Sequence, residues 1–463
     1  MTEQLKLKLN DSKATRWGAL VIVAFTMMAA YYVNDVVAPL KTMLETDLAW
    51  SSTDFGFFTG GYSFLNVFFL MLIWGGLILD RFGIRFTGKL ATILMVGGTA
   101  LEYYAMTGLA GADATLFGIN EIFGYKTGVF VAFAGYSIFG VGAEVAGITV
   151  SKIIAKWFKG TELATAMGVQ VALARIGSQA GYAVAIPLAR AFGISTPVLL
   201  GLVLLLGGMI AFFIFAVMDK KLDKQMEAAA IAAGTEDEEE KFSFKDVKNI
   251  LVNPGFWLIA LLCVLFYSCV FPFQKFASEL MIIKYGINEN VAGTFAGLPA
   301  LGALILTPVF GGFIDKRGKS ASIMLLGSAM LICVHFIYAI PDINYWLVAI
   351  VLMIILGIAF SLVPSAMWPA VAKIFPVSQL GTAYALIFFI QNIGLWGIPT
   401  LIGWVLDAYC ISGKKPDGTN MYDYTVPMCI FTGIACLSLI VALLLKKADK
   451  KYGYKLEEPN IQK

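Results

Sequence analysis

Apolar runs of about twenty residues recur along most of this chain, and they restrict its fold more than any other feature. Each is long enough to cross the roughly 30 Å of hydrocarbon in a bilayer as an α-helix. Composition agrees: of 463 residues, 59% are hydrophobic and only 14% are charged, whereas soluble domains carry about a quarter. The expected class is an all-α membrane protein, with the lipid bilayer as its surroundings.

The apolar runs number about twelve. Six fall near 17–40, 53–79, 87–108, 127–155, 162–187 and 196–218, and six near 255–283, 292–314, 320–340, 345–372, 379–407 and 425–446. The expected organisation is an N-terminal segment 1–16, a helical bundle 17–218, a linker 219–253, a second bundle 254–446 and a tail 447–463. The linker carries the acidic run TEDEEE at 235–240, which reads as a solvated stretch. Alternating the spans from a cytoplasmic N-terminus places about 26 of the 34 Lys and Arg on the cytoplasmic side. That bias predicts both termini and the linker inside.

No signal peptide is apparent, because the first sixteen residues are polar and the following apolar run is too long for a cleavable one. The six cysteines lie mostly in or beside apolar runs without CxxC spacing and read as packing residues. His335, the single histidine, lies in an apolar run, so no metal site is expected. No catalytic Ser/His/Asp or Cys/His set and no nucleotide-binding glycine loop stands out, so neither an enzyme nor a cofactor is expected. The small net charge of +3 gives no indication of a nucleic-acid partner. An accessory membrane subunit cannot be read from the chain.

One short pattern occurs twice. GGLILDRFGIR (75–85) follows the second run, and GGFIDKRGK (311–319) follows the eighth. In each, a glycine precedes an aspartate by one helical turn: Gly76 and Asp80, then Gly311 and Asp315. Basic residues (Arg81, Arg85; Arg317) and a second glycine (Gly83, Gly318) accompany them. The physical reading is a tight turn, with the first glycine admitting a neighbouring helix and the aspartate pairing with an arginine or capping a helix start. The repeated signature resembles that of the major facilitator superfamily. That resemblance implies twelve transmembrane helices in two pseudo-symmetric six-helix bundles, with a central cavity that opens alternately to each side.

Three longer stretches resemble one branch of that superfamily, the group that includes the lysosomal dipeptide uniporter. They are YYVNDVVAPL (31–40) with GGYSFLNVFF (60–69), GAEVAGITVSKIIAKWFKGTELATAMGVQVALARIGS (142–178), and GGFIDKRGK through SAMWPAVAKIFPVSQLGTAYALIFFIQNIGL (365–395). By position, the resemblance implies that Glu144 receives the amine of a dipeptide and Arg175 its carboxylate. Trp368 would line the same cavity, with Gln391 and Asn392 as further candidates. The loops at 109–126 and 408–424 look particular to this chain. No dileucine-type sorting signal is evident near the N-terminus, and a plasma membrane is the expected location.

The residues themselves point the same way. Glu144 and Arg175 each stand alone within an apolar run, where an ionised side chain costs about 2.5–3.5 kcal/mol on insertion scales. A short turn at 159–161 makes their helices antiparallel neighbours. At 1.5 Å per residue, both charges lie about 18–20 Å from that turn. A dipeptide spans roughly 7 Å between its ends, so the two groups form a clamp for a small zwitterion, or alternatively pair with each other and lock the helices. Asp35 is read as a cavity residue, a proton-coupling group or an outer-gate hydrogen bond, with Tyr31, Tyr32 and Asn34 around it. Lys275 and Glu279 are spaced as an outer-rim ion pair. Glu102 and Asp54, near helix ends, read as solvated or gate residues. Trp368, between Pro364 and Pro369, is expected at a cavity or in packed core.

The expected function is a dipeptide carrier working by uniport. Proton-coupled symport of peptides or organic anions is the alternative, as is a non-transporting membrane sensor of the same fold.

Overall fold

The computed structural model describes residues 9–111, 114–158, 161–233 and 244–459. The acidic run at 235–240 and the turn residues 159–160 therefore lie outside the described residues. Fifteen α-helices are described: α1 (Lys13–Val36), α2 (Lys41–Asp47), α3 (Ser52–Phe68), α4 (Met71–Thr107), α5 (Thr127–Trp157), α6 (Leu163–Phe192), α7 (Thr196–Ala233), α8 (Phe244–Val252), α9 (Pro254–Tyr285), α10 (Glu289–Ala296), α11 (Leu298–Arg317), α12 (Ser320–Ala339), α13 (Trp346–Ile374), α14 (Val377–Tyr409) and α15 (Thr425–Tyr452). Among the described residues, nine helical segments are long and apolar enough to span a membrane, and α3 with α4 forms a further bent pair.

Three breaks depart from a simple reading of the runs. The first run ends early because Pro39, in a short 3-10 turn, has no N–H for a continuing helix. The chain then resumes as α2 and carries Lys41 and Glu45 inward. The run at 53–79 is bent by 58° between α3 and α4, where Leu70 takes a left-handed conformation at φ 54°. Inside α4, Gly83 at φ 75° interrupts the helix and turns the chain back across the membrane. The run at 292–314 is split at Gly297, ahead of Pro299. Two small antiparallel hairpins occupy the loops particular to this chain: β1 (Glu121–Ile122) with β2 (Tyr125–Lys126), and β3 (Ile411–Lys414) with β4 (Asn420–Tyr422).

In the first half, α1 packs on α6 and α7, while α4 packs on α5 and α7. In the second, α12 packs on α13 and α15, and α9 on α14 and α15. The halves meet along two related seams, α3 against α14 and α6 against α10 and α11. In each seam the second span of one half meets the fifth span of the other. Small residues make the contact: a Cβ on Gly56 would lie 2.4 Å from the Pro399 carbonyl oxygen, and one on Gly293 would lie 2.2 Å from that of Tyr182. Neither position admits a side chain.

The first and last described residues lie on one face. The Leu9 N–H donates to Gln225 at the end of the first half, and Tyr454 donates to Asn253 at the start of the second. On the opposite face the halves are tied together by polar contacts. Lys41 of the first half is buried and bonds Glu45 and Glu279, and Tyr424 donates to the same Glu279. Asp407 of α14 accepts from the Ser52 and Thr53 N–H groups at the start of α3. Asn290 accepts from Arg190 at 2.8 Å.

Lys275 and Glu279 do not form the rim pair that their spacing suggests. Lys275 reaches Asp35 at 3.2 Å, and Glu279 is 2% exposed and bound to Lys41. Glu102 is likewise not solvated: it is fully buried, and both its oxygens lack a hydrogen-bond partner among the described residues. Asp54 completes a capping box with Ser51 at the start of α3. His335 is buried, bonds the Cys269 carbonyl at 3.0 Å and stacks on Phe431. Of the cysteines, Cys263, Cys269 and Cys410 are buried, whereas Cys333 and Cys429 are exposed.

Candidate central cavity

A cavity of about 590 Å³ lies between the halves, within the roughly 300–1,000 Å³ typical of small-ligand sites. Helices α1, α3, α4, α5 and α6 wall one side, and α9, α13 and α14 the other. Toward the face that carries the termini, its lining reaches Ser151, which is exposed, and Gln170. Its ceiling is the polar layer of Asn34, Tyr136 and Lys275. There the Lys275 ammonium donates to the Asn34 carbonyl at 2.6 Å and to Asp35 at 3.2 Å.

Glu144 and Arg175 both line this cavity. Glu144 lies on a stretch of α5 rich in glycine and alanine, where Gly142 lets α4 approach closely: a Cβ there would stand 2.7 Å from the Ala91 carbonyl oxygen. Its Oε1 accepts a 3.1 Å bond from the Tyr62 hydroxyl. The Arg175 guanidinium stands 5.6 Å from the Tyr31 ring centre and 4.9 Å from that of Phe360, within cation–π range. The two charges do not pair: among the described residues, no carboxylate lies within ion-pair distance of Arg175. The helix-locking alternative is therefore not what the structure contains. Helices α5 and α6 also meet only sparingly, because α6 packs mainly on α1. The poles are consequently set around one open space rather than on touching helix faces.

Trp368 and Gln391 also line the cavity. The Trp368 indole N–H donates to the Tyr267 hydroxyl at 3.3 Å, and its ring stacks on Phe388 at 4.8 Å. Three other candidates do not face the space. Tyr32 is buried and donates to the Pro197 carbonyl at 3.2 Å. Asp35 lies behind the wall, held by Asn34, Ser178 and Lys275. Asn392 is 1% exposed, with its amide donating to the Phe388 carbonyl at 2.9 Å. In their place Tyr31, Asn34 and Phe388 face the cavity, together with Gln170 and Lys275. The signal that separates these sets is helical phase. Met27, Ala30, Tyr31 and Asn34 follow i, i+3, i+4, i+7 along one face of α1, and Tyr32 and Asp35 fall on the next face round.

The loop signature builds turns on the face with the termini. Gly83 and Gly318 take φ of 75° and 71°, a conformation that favours glycine. Asp80 pairs with Lys152 of α5 at 3.2 Å rather than with an arginine, and Arg85 bonds Asp219 and Asp223 of α7. Arg81 stands 5.6 Å from the ring of Phe82. In the second copy, Asp315 and Arg317 lie in the last turns of α11. The tail reaches this turn, where Lys319 N–H donates to the Glu457 carbonyl and the Glu457 carboxylate accepts from Ser322. The first glycine of each copy does not admit a neighbour, since a Cβ on Gly76 or Gly311 would meet nothing within 4 Å. In the first copy close approach occurs one residue earlier, at Gly75, where a Cβ would lie 2.5 Å from the Val145 side chain.

Comparison with known proteins agrees with this architecture. The lysosomal dipeptide transporter MFSD1 of Homo sapiens is 29% identical over 454 residues, covering 95% of this chain and 88% of that protein. The solved nucleoside transporter NupG superimposes with a TM-score of 0.68 at 12% identity, over 92% of this chain and 98% of that one. A bacterial homologue of the human lysosomal transporter Spinster gives 0.61 at 14%, over 98% and 99%. At these identities the two structures show a shared fold alone. A family model described as Major Facilitator Superfamily matches residues 20–399 and 276–458, and the chain belongs to that superfamily.

Proposed function

We propose that the protein is a dipeptide uniporter working by alternating access. The observation that carries this reading is the pair of opposite charges, Glu144 and Arg175, that line one central cavity without pairing with each other. The peptide's ammonium group docks on Glu144 beside the Tyr62 hydroxyl. Its carboxylate meets Arg175, whose planar fork can donate two parallel hydrogen bonds. Trp368 and Gln391 complete the pocket. The bundles 17–218 and 254–446 then rock about the bound peptide, and the contacts of Lys41, Glu279 and Asp407 break as the opposite face opens. The name borne by the human relative, with 95% of this chain aligned, supports the choice of dipeptide. The same name speaks for a lysosome-like membrane and gives no support to a plasma membrane.

The test is uptake of a labelled dipeptide into proteoliposomes, driven by its own gradient. Unlabelled dipeptide should compete, whereas N-acetylated or amidated versions should not. Competition by a peptide with both ends blocked would remove the two-pole site.

A second reading, proton-coupled transport, rests on the buried carboxyls Asp35 and Glu102 beside the ceiling of the cavity. Uptake that rises with an imposed pH gradient, at fixed substrate protonation, would favour it over uniport.

A further inference from the structure

We infer that the second half reads the side chain of the peptide's C-terminal residue, and that it is built for a flat aromatic one. This inference rests on the two-pole reading of the cavity given above.

Both poles belong to the first half, on α5 and α6. Among the described lining residues the second half brings one charged group, Lys275. That ammonium is already committed to the ceiling, to the Asn34 carbonyl, Asp35 and the Tyr136 hydroxyl. What remains on that wall is largely aromatic and continuous. Phe360 of α13 lies 4.9 Å from the Arg175 guanidinium. Phe271 meets Phe360 edge-on at 5.3 Å, and Tyr267 stacks on Phe271 at 5.4 Å with an interplanar angle of 4°. Tyr267 accepts the Trp368 indole N–H, and Trp368 stacks on Phe388. Of these, Tyr267, Phe271, Trp368 and Phe388 face the cavity directly.

The chain of rings begins at the carboxylate pole. A peptide whose carboxylate sits on Arg175 therefore carries its last side chain onto this wall. Around Glu144 the ring in contact, Tyr62, is committed by its hydroxyl to the carboxylate at 3.1 Å. The surface of α5 there offers Ala143, Gly147, Ile148 and Ser151, small or aliphatic groups leading toward the open end. Ring–ring contacts in offset or edge-on geometry add to the apolar area they bury. The wall thus favours Phe, Tyr or Trp at the second position of a dipeptide and is nearly indifferent at the first. It also makes the side chain the link between the halves, because the backbone charges touch only one of them.

The experiment is calorimetric titration of the full-length protein with Ala-Ala, Ala-Leu, Ala-Phe and Phe-Ala. We expect Ala-Phe to bind about tenfold more tightly than Ala-Ala. Ala-Leu should fall between them, and Phe-Ala should lie within about threefold of Ala-Ala. In Phe271→Leu and in Phe388→Leu, the ratio of the Ala-Ala to the Ala-Phe Kd should collapse toward one. Because the ratio is taken within each variant, a general weakening of binding cancels. Binding of all four peptides with equal affinity, a preference for Phe-Ala, or a ratio unchanged in both variants would overturn this inference and leave the two-pole site standing. Failure of every dipeptide to bind would overturn both.

Discussion

At the scale of single residues, the proposed site rests on two groups with different jobs. Arg175→Lys keeps the charge but loses the planar fork and its packing against Tyr31 and Phe360. Dipeptide affinity is expected to fall by about tenfold or more, measured as the Kd in titration; an unchanged Kd would mean that Arg175 is not the carboxylate's partner. Glu144→Gln preserves an acceptor for Tyr62 but removes the negative charge. It should therefore weaken free dipeptides by about tenfold or more while barely affecting N-acetylated ones, erasing the discrimination between them. That both residues line the cavity was legible in the sequence, because each is a lone ionisable group in an apolar run. Trp368 and Gln391 were legible through resemblance. Tyr32 and Asn392 do not line the cavity, and of the readings for Asp35 only the one that places it in the cavity departs from the structure. The reason is common to all three: a residue is displaced about 100° around a helix from its neighbour, and local sequence does not set that phase. Phe388, Gln391, Leu395 and Pro399 share the cavity stripe of α14, and Asn392 falls beside it.

At the scale of elements, the seal on the face away from the termini is built on a buried charge cluster. The ammonium of Lys41 is 1% exposed and is held by Glu45 and Glu279, with the Lys415 ammonium 3.8 Å from both carboxylates. Removing one partner leaves buried charge uncompensated, a loss of roughly 3–5 kcal/mol. Glu279→Gln should therefore lower the thermal midpoint of the purified protein by several degrees, and a shift within one degree would show that the cluster is not a stabilising tie. Gly56→Leu tests the neighbouring seam, where the added side chain must displace α14 from α3. It is expected to trap the carrier open on that face and to abolish counterflow, with normal counterflow as the contrary result. The helices themselves were legible from their apolar runs, but these partners were not. Lys275 and Glu279 sit one turn apart and invite a local pairing, yet their real partners, Asp35 and Lys41, lie 240 and 238 residues away.

At the scale of the whole molecule, the duplicated loop signature already spoke for two related halves. The state in which those halves rest could not be read, because it depends on contacts between them. The structure is closed by Lys41, Asp407 and the glycine seams, and its cavity reaches Ser151 at the other end. In a background lacking the exposed Cys333 and Cys429, Ser151→Cys should react with a membrane-impermeant maleimide from the face with the termini. Thr53→Cys, at the seam, should react from the opposite face only when dipeptide is present to drive cycling. Equal labelling of Thr53→Cys with and without dipeptide would contradict a closed resting seal.

That Glu144 and Arg175 ride on the same half has one more effect. In the proposed mechanism the gap between them stays fixed while the other half swings, so that the cargo's backbone would be gripped equally firmly whichever compartment the vestibule faces. Such a carrier has no built-in ratchet. Its dissociation constants from the two compartments should agree within a few-fold, and the net direction of travel is left to the cargo's own concentrations.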